Sequence, residues 1–168
     1  MILRLRPLQL RDEPAFSAAH EAMAAEQFPF GLGYEPGMAW SQYLDRMHAW
    51  RIGVDLPGGF VPSTFLAADV DGEMVGRTSI RHELNEFLAR EGGHIGYAVL
   101  AEHRRRGYAT EILRQSLVIA RAVGVDRVLV TCDDDNVGSA TVIERCGGVF
   151  DSLVDSREGP PKRRYWIS

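Results

Sequence analysis

Cysteine, excess basic charge and long apolar runs are all scarce in this chain, and each scarcity removes a class of protein. Two cysteines, Cys132 and Cys146, in 168 residues are too few for a disulfide framework and match no zinc spacing. No metal is therefore expected, and a reducing cytoplasm is the expected compartment. Arginines interrupt every apolar run of MILRLRPLQLRDEP, so neither a secretory signal nor a membrane span is expected there. A net charge of −4 leaves no general basic footprint for nucleic acid or an anionic membrane. The GxxxxGK[ST] phosphate loop is missing, as are repeats, low-complexity tracts and linkers. With 45% hydrophobic and 25% charged residues, the composition is that of a globular protein, and its length suits one domain, residues 1–168.

What is present reads as alternating strands and helices. Residues 2–6 alternate like a strand. Asp12 and Pro14 mark a helix start, with Phe16, Ala19, His20 and Met23 at helical spacing. The loop FPFGLGYEPG precedes a second helical face carrying Trp40, Tyr43, Met47 and Trp50, which reads as core. Two strand-like runs flank Asp71-Gly72, a strong short-range signal for a hairpin. RHELN is either part of a site or a turn device in which Asn85 bonds its own backbone. A strand follows in GGHIGYAVL, then a helix from Tyr108 with Ile112, Leu113, Leu117 and Ala120 on one face. Residues 127–132 form a buried strand, and a short helix runs over 137–146. The tail gives two strands, of which the one carrying KRR (162–164) is expected at a sheet edge, where its charges would discourage aggregation. The order defines a mixed α/β, or α+β, domain.

Three arginines in succession, Arg104, Arg105 and Arg106, stand at the start of the helix that opens at Tyr108. Cations are unfavourable at a helix N-terminus unless an anion is bound. A strand, an Arg/Gly turn and a helix make an anion cradle from free N–H groups, and Gly107 lets a phosphate approach. The same residues could also form a solvated turn. Gly92, Gly93 and Gly96 precede a strand, which is the wrong context for a dinucleotide fingerprint.

Arg104-x-x-Gly107-x-Ala109 resembles the [Q/R]-x-x-G-x-[G/A] signature of the GNAT superfamily of acetyl-CoA-dependent N-acetyltransferases. Asn136-x-x-Ser139 followed by Glu144-Arg145-Cys146-Gly147 resembles that family's second block, and the spacing between the blocks fits. The resemblance implies a mixed, mostly antiparallel sheet with a splayed central strand pair, flanked by helices. It implies acetyl-CoA as cosubstrate, with pantetheine along Tyr97, Ala98 and Val99. The pyrophosphate would sit on the N–H groups from Arg105 through Arg106, Gly107, Tyr108 and Ala109 to Thr110, and Asn136 and Ser139 would lie beside the cofactor. It also implies transfer of acetyl to an amine, with the Tyr97 N–H stabilising the oxyanion. The acceptor would be a small molecule or a peptide, with Asp133-Asp134-Asp135 leaning toward a cationic one, and a homodimer would suit the family.

The usual acid and base positions of the family fall here on Ile143, Gly93 and Thr131. Substitutes are sought among Glu83, His82, His94 and Asp133, with Glu83 and His94 chosen as catalytic candidates. Each has an alternative reading as a solvated or structural group. Two rival functions stand beside transfer: an inactive acyl-CoA-binding sensor or scaffold, and a nucleotide-binding domain.

Overall fold

The computed structural model describes residues 2–168. β1 (Leu3–Arg6), β2 (Ser63–Val70), β3 (Glu73–Arg81) and β4 (Ile95–Val99) form one antiparallel sheet in the order β1-β2-β3-β4. β5 (Val128–Asp133), β6 (Val149–Val154) and β7 (Lys162–Ile167) form a second, in the order β5-β7-β6. The β2–β3 turn has Asp71 at φ 52° and Gly72 at φ 88°, the two positive values that a type I′ hairpin requires.

Helices cover both faces. On one, α1 (Glu13–Ala24) and α2 (Trp40–Arg51) pack Phe16, Met23, Trp40 and Tyr43 with Phe65, Met74 and Ala98. Phe16 is fully buried, and edge-on or tilted rings of Phe30, Tyr34, Trp40, Tyr43 and Phe65 surround it. Trp40, Tyr43 and Trp50 are core residues, as the sequence indicates. On the other face lie α3 (Tyr108–Ala122) and α4 (Val137–Arg145). Leu113, Leu117 and Ile143 pack there with Ile80, Ile95, Val130 and Tyr165.

Two expectations change. β7 lies between β5 and β6, so the KRR strand is central, and its charges are spent on neighbours. Lys162 pairs with Asp133, Arg163 with Asp134 at 2.6 Å, and Arg164 with Asp151. Asp133 and Asp134 are thereby neutralised and no longer point to a cationic acceptor. The segment after RHELN is also more ordered than its polarity suggests. Leu88–Gly92 forms a π-helical turn whose start is held by Leu88 N–H donating to Asn85 Oδ1 at 2.9 Å. Asn85 is thus the turn device foreseen for RHELN.

Candidate active site

β4 and β5 touch only where they begin. His94 N–H donates to Leu129 O at 2.7 Å, and Leu129 N–H returns a bond to His94 Nδ1 at 2.9 Å. Close approach is possible because residue 93 is glycine: its φ is +67°, and a Cβ there would sit 2.7 Å from Leu129 O. Beyond this junction the strands part, and a cleft of about 740 Å³ opens between them. The ladder phase follows from two bonds, Arg81 N–H to His94 O and Leu100 N–H to Val75 O. In an antiparallel pair this turns the N–H groups of Ile95, Tyr97 and Val99 away from β3, toward the gap.

The far end of the cleft is the start of α3. Gly107 has φ +82° with no atom within 4 Å of a Cβ, so conformation rather than packing calls for glycine there. Arg105 also has a positive φ, 62°. The first helical bond is from Glu111 N–H to Gly107 O, which leaves the N–H groups of Tyr108, Ala109 and Thr110 without helix carbonyls. Partial positive charge gathers at this end.

The structure brings together Tyr97, Ala98, Val99, Arg104, Arg105, Gly107, Tyr108, Ala109, Thr110, Asn136 and Ser139 on the cleft wall. Arg106 is outside it, its Nη2 donating to Glu102 O. Arg104 is at the rim but committed, bonding Val99 O at 3.0 Å and pairing with Glu26 at 2.7 Å. What this end of the cleft offers an anion is therefore mainly backbone N–H groups. Asn136 caps α4, its Oδ1 accepting from Ser139 N–H at 3.0 Å, which leaves its amide NH₂ free to donate. The Tyr97 hydroxyl reaches Ser139 Oγ at 2.9 Å, tying β4 to α4 beneath the opening, and burial pushes its pKa up to about 12. Sequence reasoning missed Met23, Glu26 and Phe28, which come from α1 and the loop after it, and Arg145 on α4. Those contacts depend on chain segments distant in sequence, and no local signal announces them.

The two side-chain catalytic candidates do not reach the cleft. Glu83 is exposed past the end of β3 and is not on the cleft wall. His94 is 6% exposed. Its Nδ1 is occupied by Leu129 N–H, which fixes the proton on Nε2. Burial, then the charge of Arg81, pushes its pKa down to about 4. His94 is a structural pin at the β4–β5 junction, the reading set beside catalysis in the sequence. His82 bonds Thr64 Oγ1 at 2.8 Å, and Asp133 pairs with Lys162.

The vacant family positions also have structural reasons. A glutamate at 93 would collide with β5. Ile143 is fully buried core, and Thr131 donates to Glu91 O at 2.6 Å. Cys132 and Cys146 are free, and burial pushes the Cys132 thiol up to about 11, far from the thiolate that covalent chemistry needs.

A wedge between two strands, ending in a helix N-terminus rich in unbonded N–H groups, is a cleft shaped for an elongated ligand with an anionic end. The chain belongs to the GNAT acetyltransferase family: residues 3–149 match the acetyltransferase (GNAT) domain. It is 31% identical over 158 residues to the uncharacterized N-acetyltransferase YjdG of Bacillus subtilis (strain 168), covering 88% of this chain and 87% of that protein. Its fold matches Mycobacterium smegmatis RimJ in complex with CoA-disulfide, with TM-score 0.71, 22% identity and coverage of 98% and 81% of the two chains. It also matches yncA from Salmonella typhimurium with acetyl-CoA, with TM-score 0.66, 12% identity and coverage of 98% and 92%. Among the described residues no helix is long and apolar enough to cross a membrane.

Proposed function

We propose that the protein transfers acetyl from acetyl-CoA to an amine. The observation that carries this reading is the cleft itself, with one strand's N–H groups turned into it and a free helix N-terminus at its end. In this reading Tyr97, Ala98 and Val99 offer an unpaired strand edge to pantetheine. The N–H groups from Arg105 to Thr110 hold the pyrophosphate, with Arg105 adding charge. The cosubstrate supplies an activated acetyl thioester. The Tyr97 N–H donates to the developing oxyanion.

As the amine nitrogen attacks, its bond to the carbonyl carbon forms, the carbon–sulfur bond breaks, and the proton leaves through water to the thiolate. The nitrogen attacks as the neutral amine, so an ammonium first gives its extra proton to water. The free thiols of Cys132 and Cys146 fit a reducing cytoplasm.

Acetyl-CoA with a panel of amines, followed by thiol release and product mass, tests the reaction. Transfer that falls with Tyr97→Pro, which removes the N–H, is expected. Tight CoA binding without transfer to any amine would replace the enzyme by a binding module.

A further inference from the structure

Two arginines meet at Gly96 with no carboxylate to balance them. Arg77, 3% exposed, bonds Pro29 O at 2.9 Å, Phe30 O at 3.0 Å and Gly96 O at 3.1 Å. Its guanidinium lies over Phe28, 4.8 Å from the ring centre. Arg81 lies two strand positions of the same face further along β3. Its Nη1 bonds Gly92 O at 3.3 Å and lies 3.3 Å from where a Gly96 Cβ would be. Both remain charged at neutral pH, although burial pushes Arg77 down to about 9 and Arg81 to about 10, and the charge of Arg81 also lowers Arg77.

Among the described residues neither pairs with an acid. The buried carboxylate nearby, Glu91, is spent on Ser156 Oγ at 2.7 Å and Arg157 N–H at 3.2 Å. Between the two arginines on the same face, Ser79 pairs with Gly96 in the ladder, and its buried hydroxyl has no partner. Among the described residues, the Nε and Nη2 groups of Arg81, the edge that grips an oxyacid with two parallel bonds, have no protein acceptor; its side-chain bonds are made by Nη1.

Arg77 is buried and Arg81 half-buried, and two like charges beside a free guanidinium edge and an unpartnered hydroxyl form a place that an anion would complete. This face carries α1, α2 and the loop from Phe28, opposite the α3 face, and Gly96 adjoins Tyr97. We infer that the acceptor amine carries an anionic oxyacid group, a carboxylate or a phosphate, held by Arg81 over Gly96 with Arg77 behind it. The inference takes its location from the acetyl-transfer reading, but its test does not depend on turnover.

In ¹⁵N-labelled protein, the Arg81 Nε–H signal is assigned by its loss in Arg81→Gln. Acetate and inorganic phosphate are then titrated separately at constant ionic strength against chloride. A saturable shift with one of them, absent with chloride, is expected, and the anion that gives it identifies the group. No shift, or one no larger than that of exposed Arg121, overturns the site.

Matched amines give the second readout: β-alanine against propylamine, and phosphoethanolamine against ethanolamine. The anionic member of the favoured pair should have at least about a tenfold higher kcat/KM. That preference should collapse in Arg81→Gln and return in part with Arg81→Lys. A preference that survives Arg81→Gln, or equal use of the neutral amine, overturns the assignment. An NMR response without any turnover would keep the anion site and sink acetyl transfer.

Discussion

Gly93→Ala should destabilise the protein by more than an ordinary glycine replacement, because two costs coincide at this position. The backbone at residue 93, φ +67° and ψ −177°, lies in a region used essentially by glycine alone and costs a residue with a Cβ about 1–3 kcal/mol. The new Cβ would also lie 2.7 Å from Leu129 O and 3.4 Å from Thr131 N, backbone atoms of β5 that yield only if the strand moves. Overpacking of this kind costs about 1–3 kcal/mol. The sum, about 2–6 kcal/mol, corresponds in a chain of this size to a fall in Tm of roughly 4–24 °C.

Gly124→Ala supplies the control: its φ is +97° with no atom within 4 Å of the Cβ position, so it carries a positive-φ cost without a contact. Thermal and urea unfolding of both variants measure the difference. A Tm for Gly93→Ala within about 2 °C of wild type, or equal losses in the two variants, would refute the reasoning that close contact at residue 93 joins the strands.

Three other outcomes are expected. Because His94 has a folded pKa near 4, below the ordinary 6.5, its contribution to stability is present above pH 6.5 and is lost as pH falls toward 4. Urea unfolding of wild type and His94→Asn from pH 7.5 to 4.5 should show wild type losing more, whereas parallel curves would contradict a buried neutral imidazole. Asn136→Ala removes the side-chain cap on Ser139 N–H and should cost about 0.5–2 kcal/mol in urea unfolding; no loss would show the cap to be idle. Arg104→Ala breaks a half-exposed pair with Glu26 and should cost at most about 1 kcal/mol of stability, while leaving CoA affinity within a few-fold; a large loss of affinity would return Arg104 to the phosphate.

The parts of the fold written in local patterns were readable. Asp71-Gly72 set the hairpin, the spacing from Ile112 to Ala120 set α3, and Gly107 set the turn that opens it. The distant partners were not readable. The arginine run looked like one positive patch, yet Arg104 turns to Glu26, which is 78 residues away, and Arg106 turns to Glu102. The KRR strand looked like an edge because its charges had no visible partners, and Asp133, Asp134 and Asp151 supply them only once β5 and β6 flank it. His94 has the composition of a catalytic base, and only the bond from Leu129 reveals it as a pin. Arg77 and Arg81 give no sequence signal at all. Their meaning lies in the absence of a neighbouring acid.

Whether the β4–β5 cleft receives acetyl-CoA is tested most directly by calorimetric titration of acetyl-CoA and CoA into wild type, Gly107→Ala and Gly107→Glu. The alanine variant carries the cost of the positive φ without charge, and the glutamate adds an anion where the pyrophosphate would lie. Saturable binding to wild type, weakened about a hundredfold (about 2.7 kcal/mol) in folded Gly107→Glu and much less in Gly107→Ala, is the expected result. Absence of binding to wild type, or equal affinity in Gly107→Glu, would contradict the assignment of the cleft.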